Sequence, residues 1–152
     1  MTRLFALIVA LSTFGMAPDA NAVSAQETEE MPLFRPAGED GLEAFHWTHR
    51  PVIVFADSPN DPAFIDQMEM LVARQAELEL RDVVVLTDTD PAARNPLRQK
   101  LRPRGFMLVI VGKDGQVALR KPFPWSVREI SRTIDKMPIR QREIREQSSN
   151  GL

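Results

Sequence analysis

An α/β fold is what this sequence predicts: a mixed four-stranded sheet with helices on both faces, its elements in the order βαβαββα after a short N-terminal helix. Three observations carry the prediction. Short apolar runs rich in Val, Ile and Phe alternate with stretches whose apolar residues recur every three or four positions. Two of those stretches open with the same Asp-Pro pair, a helix-start signal. The last two apolar runs are joined by Asp114-Gly115, a dipeptide favoured in tight hairpins. Two right-handed strand–helix–strand crossovers followed by a hairpin give a sheet that mixes parallel and antiparallel pairs.

Order is expected from Gly41, where Leu42, Phe45 and His46 share the spacing of one short helix. Pro51 then introduces Val52 to Ala56, an uninterrupted apolar run of the kind found in strands covered on both faces. Asp61 suits an N-cap and Pro62 the first helical position. Phe64, Met68, Leu71 and Leu78 make one stripe of a helix expected to end near Leu80. Val83 to Leu86 is the second buried strand. "TDTDPAA" repeats the start signal, with Asp90 as cap and Pro91 opening a shorter helix to about Leu101. Phe106 to Val111 is the third strand, and Val117 to Arg120 is the fourth. Ser126 and Glu129 have capping-box spacing, and Val127, Ile130, Ile134 and Met137 line a closing helix that halts at Pro138. The charged tail, Ile139 to Leu152, is expected to fray.

Composition sets the remaining limits. The chain has 152 residues, 43% hydrophobic and 26% charged, which suits one globular domain with a real core. A formal charge of -2 and a pI near 5.7 exclude a general nucleic-acid binder, which would be basic. At the amino terminus, Arg3, the apolar run Leu4 to Met16 and the small-x-small triplet Ala20-Asn21-Ala22 read as a signal peptide over residues 1–22, with a second cut site after Ala25. The run is shorter than the roughly 20 residues that span a bilayer, so no membrane span is expected in the mature chain. The expected address is periplasmic or secreted. Residues 23–40 are acidic and broken by Pro32, Pro36 and Gly38, the composition of a flexible lead-in to a domain over 41–138. Export would have allowed disulfides, yet the chain holds no cysteine. Thiol-based redox or nucleophilic chemistry is therefore excluded.

The predicted order is that of thioredoxin. The runs "RPVIVFADSPNDPAF", "RDVVVLTDTDP", "LRPRGFMLVIVGKDG" and "PWSVREISRTIDKMPIRQREIRE" resemble the bacterial domain-of-unknown-function family numbered 4174 over about Leu42 to Glu146. Related domains in animal extracellular proteins with sushi repeats are described as peroxiredoxin-like. The resemblance implies a thioredoxin-like fold and brings no established activity. In thioredoxins a C-x-x-C motif ends the first strand and starts the first helix, and here Pro59-Asn60-Asp61-Pro62 falls in that place. The cis-proline that precedes the third strand in thioredoxins aligns with Phe106-Met107, and Pro103 is offset from it. Peroxiredoxins pair their cysteine with an arginine, and Arg104 occupies a similar place without a thiolate to serve.

Each candidate site has a plainer reading beside it. Asp61 and Asp90 are accounted for as helix caps, a role worth about 1 kcal/mol. Asp57, Asp88 and Asp90 fall at strand carboxyl ends, where three carboxylates could hold Ca²⁺ or Mg²⁺, although two of them also suit turns. His46 and His49 are spaced i, i+3 with no third ligand evident nearby. Ser58 lacks a base and a G-x-S-x-G frame. Arg98, Lys100, Arg102 and Arg104 could face an anion or an acidic partner, or form a solvated helix face. Trp125 either plugs the end of the sheet, the default reading, or is an exposed aromatic anchor for a partner. The chain carries no cofactor fingerprint and no complete ligand set, so neither cofactor nor metal is assigned. The reading that remains is an exported, non-catalytic module that binds a protein, peptide or acidic envelope component through Asp57, Ser58, Asn60, Asp61 and Arg104. Its alternatives are a carboxylate- or metal-dependent enzyme and a carrier of small anions or metals.

Overall fold

The computed structural model describes residues 31–151. The expected signal peptide, residues 1–22, and residues 23–30 of the acidic lead-in lie outside the described residues. The centre of the molecule is a strand, Arg50–Phe55 (β2), in which all six residues are buried. Its side chains alternate between two cores, as the two-residue period of a strand requires. Val52 and Val54 face Leu71, Leu78, Ile130 and Ile134. Ile53 and Phe55 face Leu42, Phe45, Leu97 and Leu101.

Val83–Asp88 (β3) pairs with β2 in parallel, from Arg50 opposite Val83 to Phe55 opposite Asp88. Met107–Val111 (β4) pairs with it antiparallel, with Met107 opposite Phe55. Val117–Lys121 (β5) folds back on β4. At the hairpin, Gly115 takes φ +75, and a Cβ there would lie 2.3 Å from Nε2 of His46, so both the backbone and the neighbour call for glycine.

Among the described residues the sheet has five strands, in the order β1-β3-β2-β4-β5, where the sequence predicts four. The additional one, Phe34–Pro36 (β1), lies in the segment expected to be flexible, and it pairs parallel with β3 along the edge. Leu33 and Phe34 pack on the first core, and that burial is what orders an otherwise acidic stretch.

Helix starts follow the capping signals closely. In Pro62–Ala73 (α1), the Asp61 carboxylate accepts from the amides of Ala63 at 2.8 Å and Phe64 at 3.3 Å. The chain leaves helical geometry at Arg74 and resumes as Gln75–Glu79 (α2), where one helix to Leu80 was expected. The helix expected from Pro91 also divides. Asp90 caps a short 3-10 turn, Pro91–Ala93, and Asn95 caps Pro96–Leu101 (α3) by accepting from Arg98 N at 2.9 Å. The proline at 96 disfavours helical geometry at Asn95, so one helix cannot run through. Ser126 and Glu129 form the reciprocal capping box of Val127–Asp135 (α4).

The tail expected to fray is a helix, Pro138–Asn150 (α5). Pro138 ends α4 by holding Met137 extended, and the same residue opens α5 at a position where its missing N–H costs nothing. Charge holds this helix to the domain. Glu143 Oε1 lies 2.9 Å from Arg50 Nη2 and 2.9 Å from Lys113 Nζ, and Glu143 Oε2 lies 3.2 Å from Arg140 Nη1. Burial pushes the Glu143 carboxyl up, but hydrogen bonds from Lys113, Arg50 and Arg140 outweigh it and hold the pKa down at about 2, against an ordinary 4.5. Hydrogen bonding from Arg81 also lowers Asp135 at the end of α4.

A group whose pKa is depressed by folding contributes stability that is complete above its unfolded pKa and disappears as pH falls toward the folded one. Thermal midpoints are therefore expected to hold steady from neutral pH to about 4.5 and to fall between there and about 2. In Glu143→Gln the acid slope should be shallower than in the wild type; equal slopes would remove Glu143 from the account.

Candidate functional site

The strand register gathers four loops at one end of the sheet. There β2 and β3 finish, β4 starts opposite Phe55, and Lys121 at the end of β5 lies opposite Leu108. Asp57, Ser58, Asn60 and Asp61 follow β2, and Arg104 precedes β4, so the predicted site residues do come to one end of the molecule.

Most of their bonding capacity is spent locally. Ser58 Oγ accepts from the Asn60 amide at 3.1 Å, and Ser58 O accepts from the Asp61 amide at 3.2 Å, which shapes the turn. Asp61 caps α1. Asp57 pairs with Arg98, whose Nη1 lies 3.6 Å from Asp57 Oδ1.

Arg98 is the organising side chain here. It lies on α3, and its guanidinium turns inward. Nε donates to Asp88 Oδ2 at 2.8 Å, and Nη2 donates to the carbonyls of Ala56 at 2.8 Å and Asp88 at 3.2 Å. The group stacks 5.5 Å from the centre of the Phe55 ring. A planar fork with five donors can serve two strand ends and an aromatic face at once, which a lysine could not do. Asp88, almost fully buried, also accepts from Asn95 Nδ2 at 2.7 Å and from the Asp90 amide at 3.1 Å.

The carboxylate trio Asp57, Asp88 and Asp90 is thus divided between an arginine, an asparagine and a helix start. Among the described residues, no group of three or more His, Asp or Glu is placed to hold a metal ion. His46 and His49 lie at the opposite end of the sheet, before β2. Their helical spacing is broken, because the 3-10 turn Leu42–Phe45 stops short of them and Trp47 takes φ 65. The cationic run is broken too. Arg98 points inward, Lys100 pairs with Glu43 at 2.7 Å, and Arg102 and Arg104 remain exposed without an ion pair among the described residues. No cis peptide bond occurs among the described residues.

Trp125 is half-buried against the first core, as its reading as a plug requires. Gln67, buried in α1, fixes it: Nε2 donates to Trp125 O at 3.0 Å and Oε1 accepts from Trp125 N at 2.8 Å. Lys121 Nζ sits 4.8 Å from the Trp125 ring and 5.7 Å from the Phe123 ring. Phe123, 51% exposed, shares this end of the sheet with Arg104 and was not singled out from the sequence. An aromatic residue held between Pro122 and Pro124 at the end of a strand was the available signal.

Residues 41–143 match the family described as Domain of unknown function (DUF4174). The chain is 26% identical over 144 residues to coiled-coil domain-containing protein 80 of Danio rerio, with 75% of this chain and 17% of that protein covered, so it spans a small part of that relative. Among solved structures, a chloroplastic thioredoxin z is similar with a TM-score of 0.53 and 20% identity, over 71% of this chain and 99% of that chain. Plasmodium yoelii Prx1a is similar with a TM-score of 0.50 and 15% identity, over 64% of this chain and 78% of that chain. At these identities the likeness shows the fold, which is thioredoxin-like.

Removing one partner of a buried ion pair leaves an uncompensated charge and costs about 3 kcal/mol or more. Asp88→Asn is expected to lose stability on that scale, and Arg104→Ala to change it by less than about 0.5 kcal/mol. Urea unfolding of both variants checks this; matching midpoints would remove Asp88 from its structural role.

Proposed function

From the premise that this chain belongs to the family Domain of unknown function (DUF4174), we propose that it is an exported thioredoxin-like module that acts by binding and not by thiol chemistry. One observation carries the reading. The place where thioredoxins keep their C-x-x-C holds Pro59-Asn60-Asp61-Pro62, with exposed Arg104 and Phe123 at the same end of the sheet. The chemistry of the family fold needs a thiolate there, and the chain has no cysteine. What remains is suited to recognition. Arg104 offers a fork for a carboxylate, Phe123 an apolar face, and the turn at Asp57, Ser58, Asn60 and Asp61 a rim of short polar groups.

The partner proposed is a protein, a peptide or another acidic component of the cell envelope. The compartment follows from the signal pattern of the first 22 residues, and periplasm or secretion fits a domain with no thiol to protect. Acidic overall charge keeps nucleic acid out of the partner list.

Pure protein should show no turnover as a disulfide reductase or thiol peroxidase, since methionine cannot replace a thiolate in either cycle. Sustained turnover by the pure chain would overturn the reading. Binding is tested by capture from an envelope extract with wild type and an Arg104→Ala, Phe123→Ala double variant, both checked for fold by circular dichroism. A partner kept by the wild type and lost by the double variant is the expected result, and an unchanged partner list would move the binding surface elsewhere.

A further inference from the structure

At the end of the sheet opposite the site just described, a charge is buried with no apolar reason to be there. Arg50, the first residue of β2, is 0% exposed. Its Nη1 donates to Arg81 O at 2.8 Å and lies 3.7 Å from Asp82, while its Nη2 donates to Glu143 Oε1 at 2.9 Å. Its Nε has no hydrogen-bond partner among the described residues, and the Nε of Arg140, 3.7 Å from Asp135 Oδ1, has none either. Buried ion pairs seldom stabilise more than apolar residues of the same shape would, so a role other than stability is the better explanation for this one.

The helix that supplies Glu143 is attached in an unusual way. No residue of α5 belongs to either apolar core, and Met137, just before it, is the last of the described residues that packs there. Ile139 and Ile144 are only half-buried, and Arg140 is the single buried residue of α5. A cavity of about 220 Å³ remains between the first turn of α5 and the β4–β5 hairpin, lined by Lys113, Ala118, Met137, Pro138 and Ile139 as well as Arg50. Apolar packing therefore does little to hold the helix. Ion pairs do most of it: Glu143 accepts from Arg50 on β2 and Lys113 on the hairpin, and Arg140 of α5, which also pairs with Glu143, lies 3.7 Å from Asp135 on α4.

We propose that Arg50 and Lys113 form a carboxylate-binding cradle which α5 fills with its own Glu143, so that α5 is a releasable strap over a site for an external carboxylate. The cores are complete without α5, so the strap can leave while the sheet stays folded. Once it has left, Arg50 and Lys113 share one remaining carboxylate, Asp82, at 3.7 Å and 2.7 Å, so one of the two positive charges is unmatched beside the apolar wall of Met137 and Ala118. A carboxylate carried on a short apolar body satisfies both features, and it would compete with Glu143 by mass action.

Hydrogen exchange read by mass spectrometry on the whole chain tests the strap. In the wild type, amides of residues 139–150 are expected to exchange at least about 100-fold faster than those of β2, because they open in a separate unit. In Glu143→Gln, exchange in α5 should rise about tenfold further while β2 keeps its protection. Loss of protection in α5 and β2 together, in either protein, would overturn the proposal. The cradle is tested with acetate as the probe and chloride at equal ionic strength as the control. Glu143→Ala leaves room for acetate beside Arg50 and Lys113, so acetate should raise its melting temperature and chloride should not, while the wild type responds equally to both. If Glu143→Ala does not fold, the same comparison is made with Glu143→Gln, whose amide accepts poorly from two cations. Equal responses of the variant to acetate and chloride would show general screening and overturn the cradle.

Discussion

The burial of β2 along its whole length is the constraint on which the rest of this molecule depends. A strand with no exposed residue must be paired on both edges and covered on both faces. Its pairing with β3 in parallel demands a crossover helix, and its pairing with β4 in the antiparallel sense reverses the chain and admits the hairpin. The two covering layers then follow from the alternation of Val52 and Val54 with Ile53 and Phe55.

Both ends of this strand are closed by arginine. At the carboxyl end, Arg98 reaches from α3 to the carbonyl of Ala56 and the carboxylate of Asp88, so β2 and β3 finish in register against one guanidinium. At the amino end, Arg50 is itself part of the strand, and α5 brings it a carboxylate. The two arrangements are alike in chemistry and different in mechanical consequence. Asp88 lies within the sheet and has two further donors, so Arg98 is locked. Glu143 lies on a helix outside both cores, so the pairing of Arg50 Nη2 depends on how that helix is docked, while Nη1 keeps Arg81 O and Asp82.

The same contrast bears on function. Where thioredoxins hold reactive thiols, this chain has placed helix caps, a turn closed by the Ser58 hydroxyl and an inward-facing arginine, and these use the polar groups of the turn locally. The groups exposed at that end are Arg104 and Phe123, a charged fork and an aromatic face on loops beside the sheet, and the proposed binding role rests on them.

Local signals alone decided much of this structure. Asp61-Pro62, Asp114-Gly115 and the Ser126–Glu129 box act within four residues of one another, so the helix starts, the hairpin and the order of elements could be read in the sequence. The buried runs of β2, β3 and β4 were legible because their apolar residues leave no polar face. Tertiary structure decided the rest. Phe34–Pro36 is a strand only because β3 offers it an edge and the core takes Leu33 and Phe34. The charged tail is a docked helix only because Glu143 finds Arg50, 93 residues away. The pairing of Arg98 with Asp88, and so the release of Arg104 to solvent, depends on how α3 sits over the ends of two strands. Charges separated in sequence have no preferred partner until the fold sets their distances and removes the water between them.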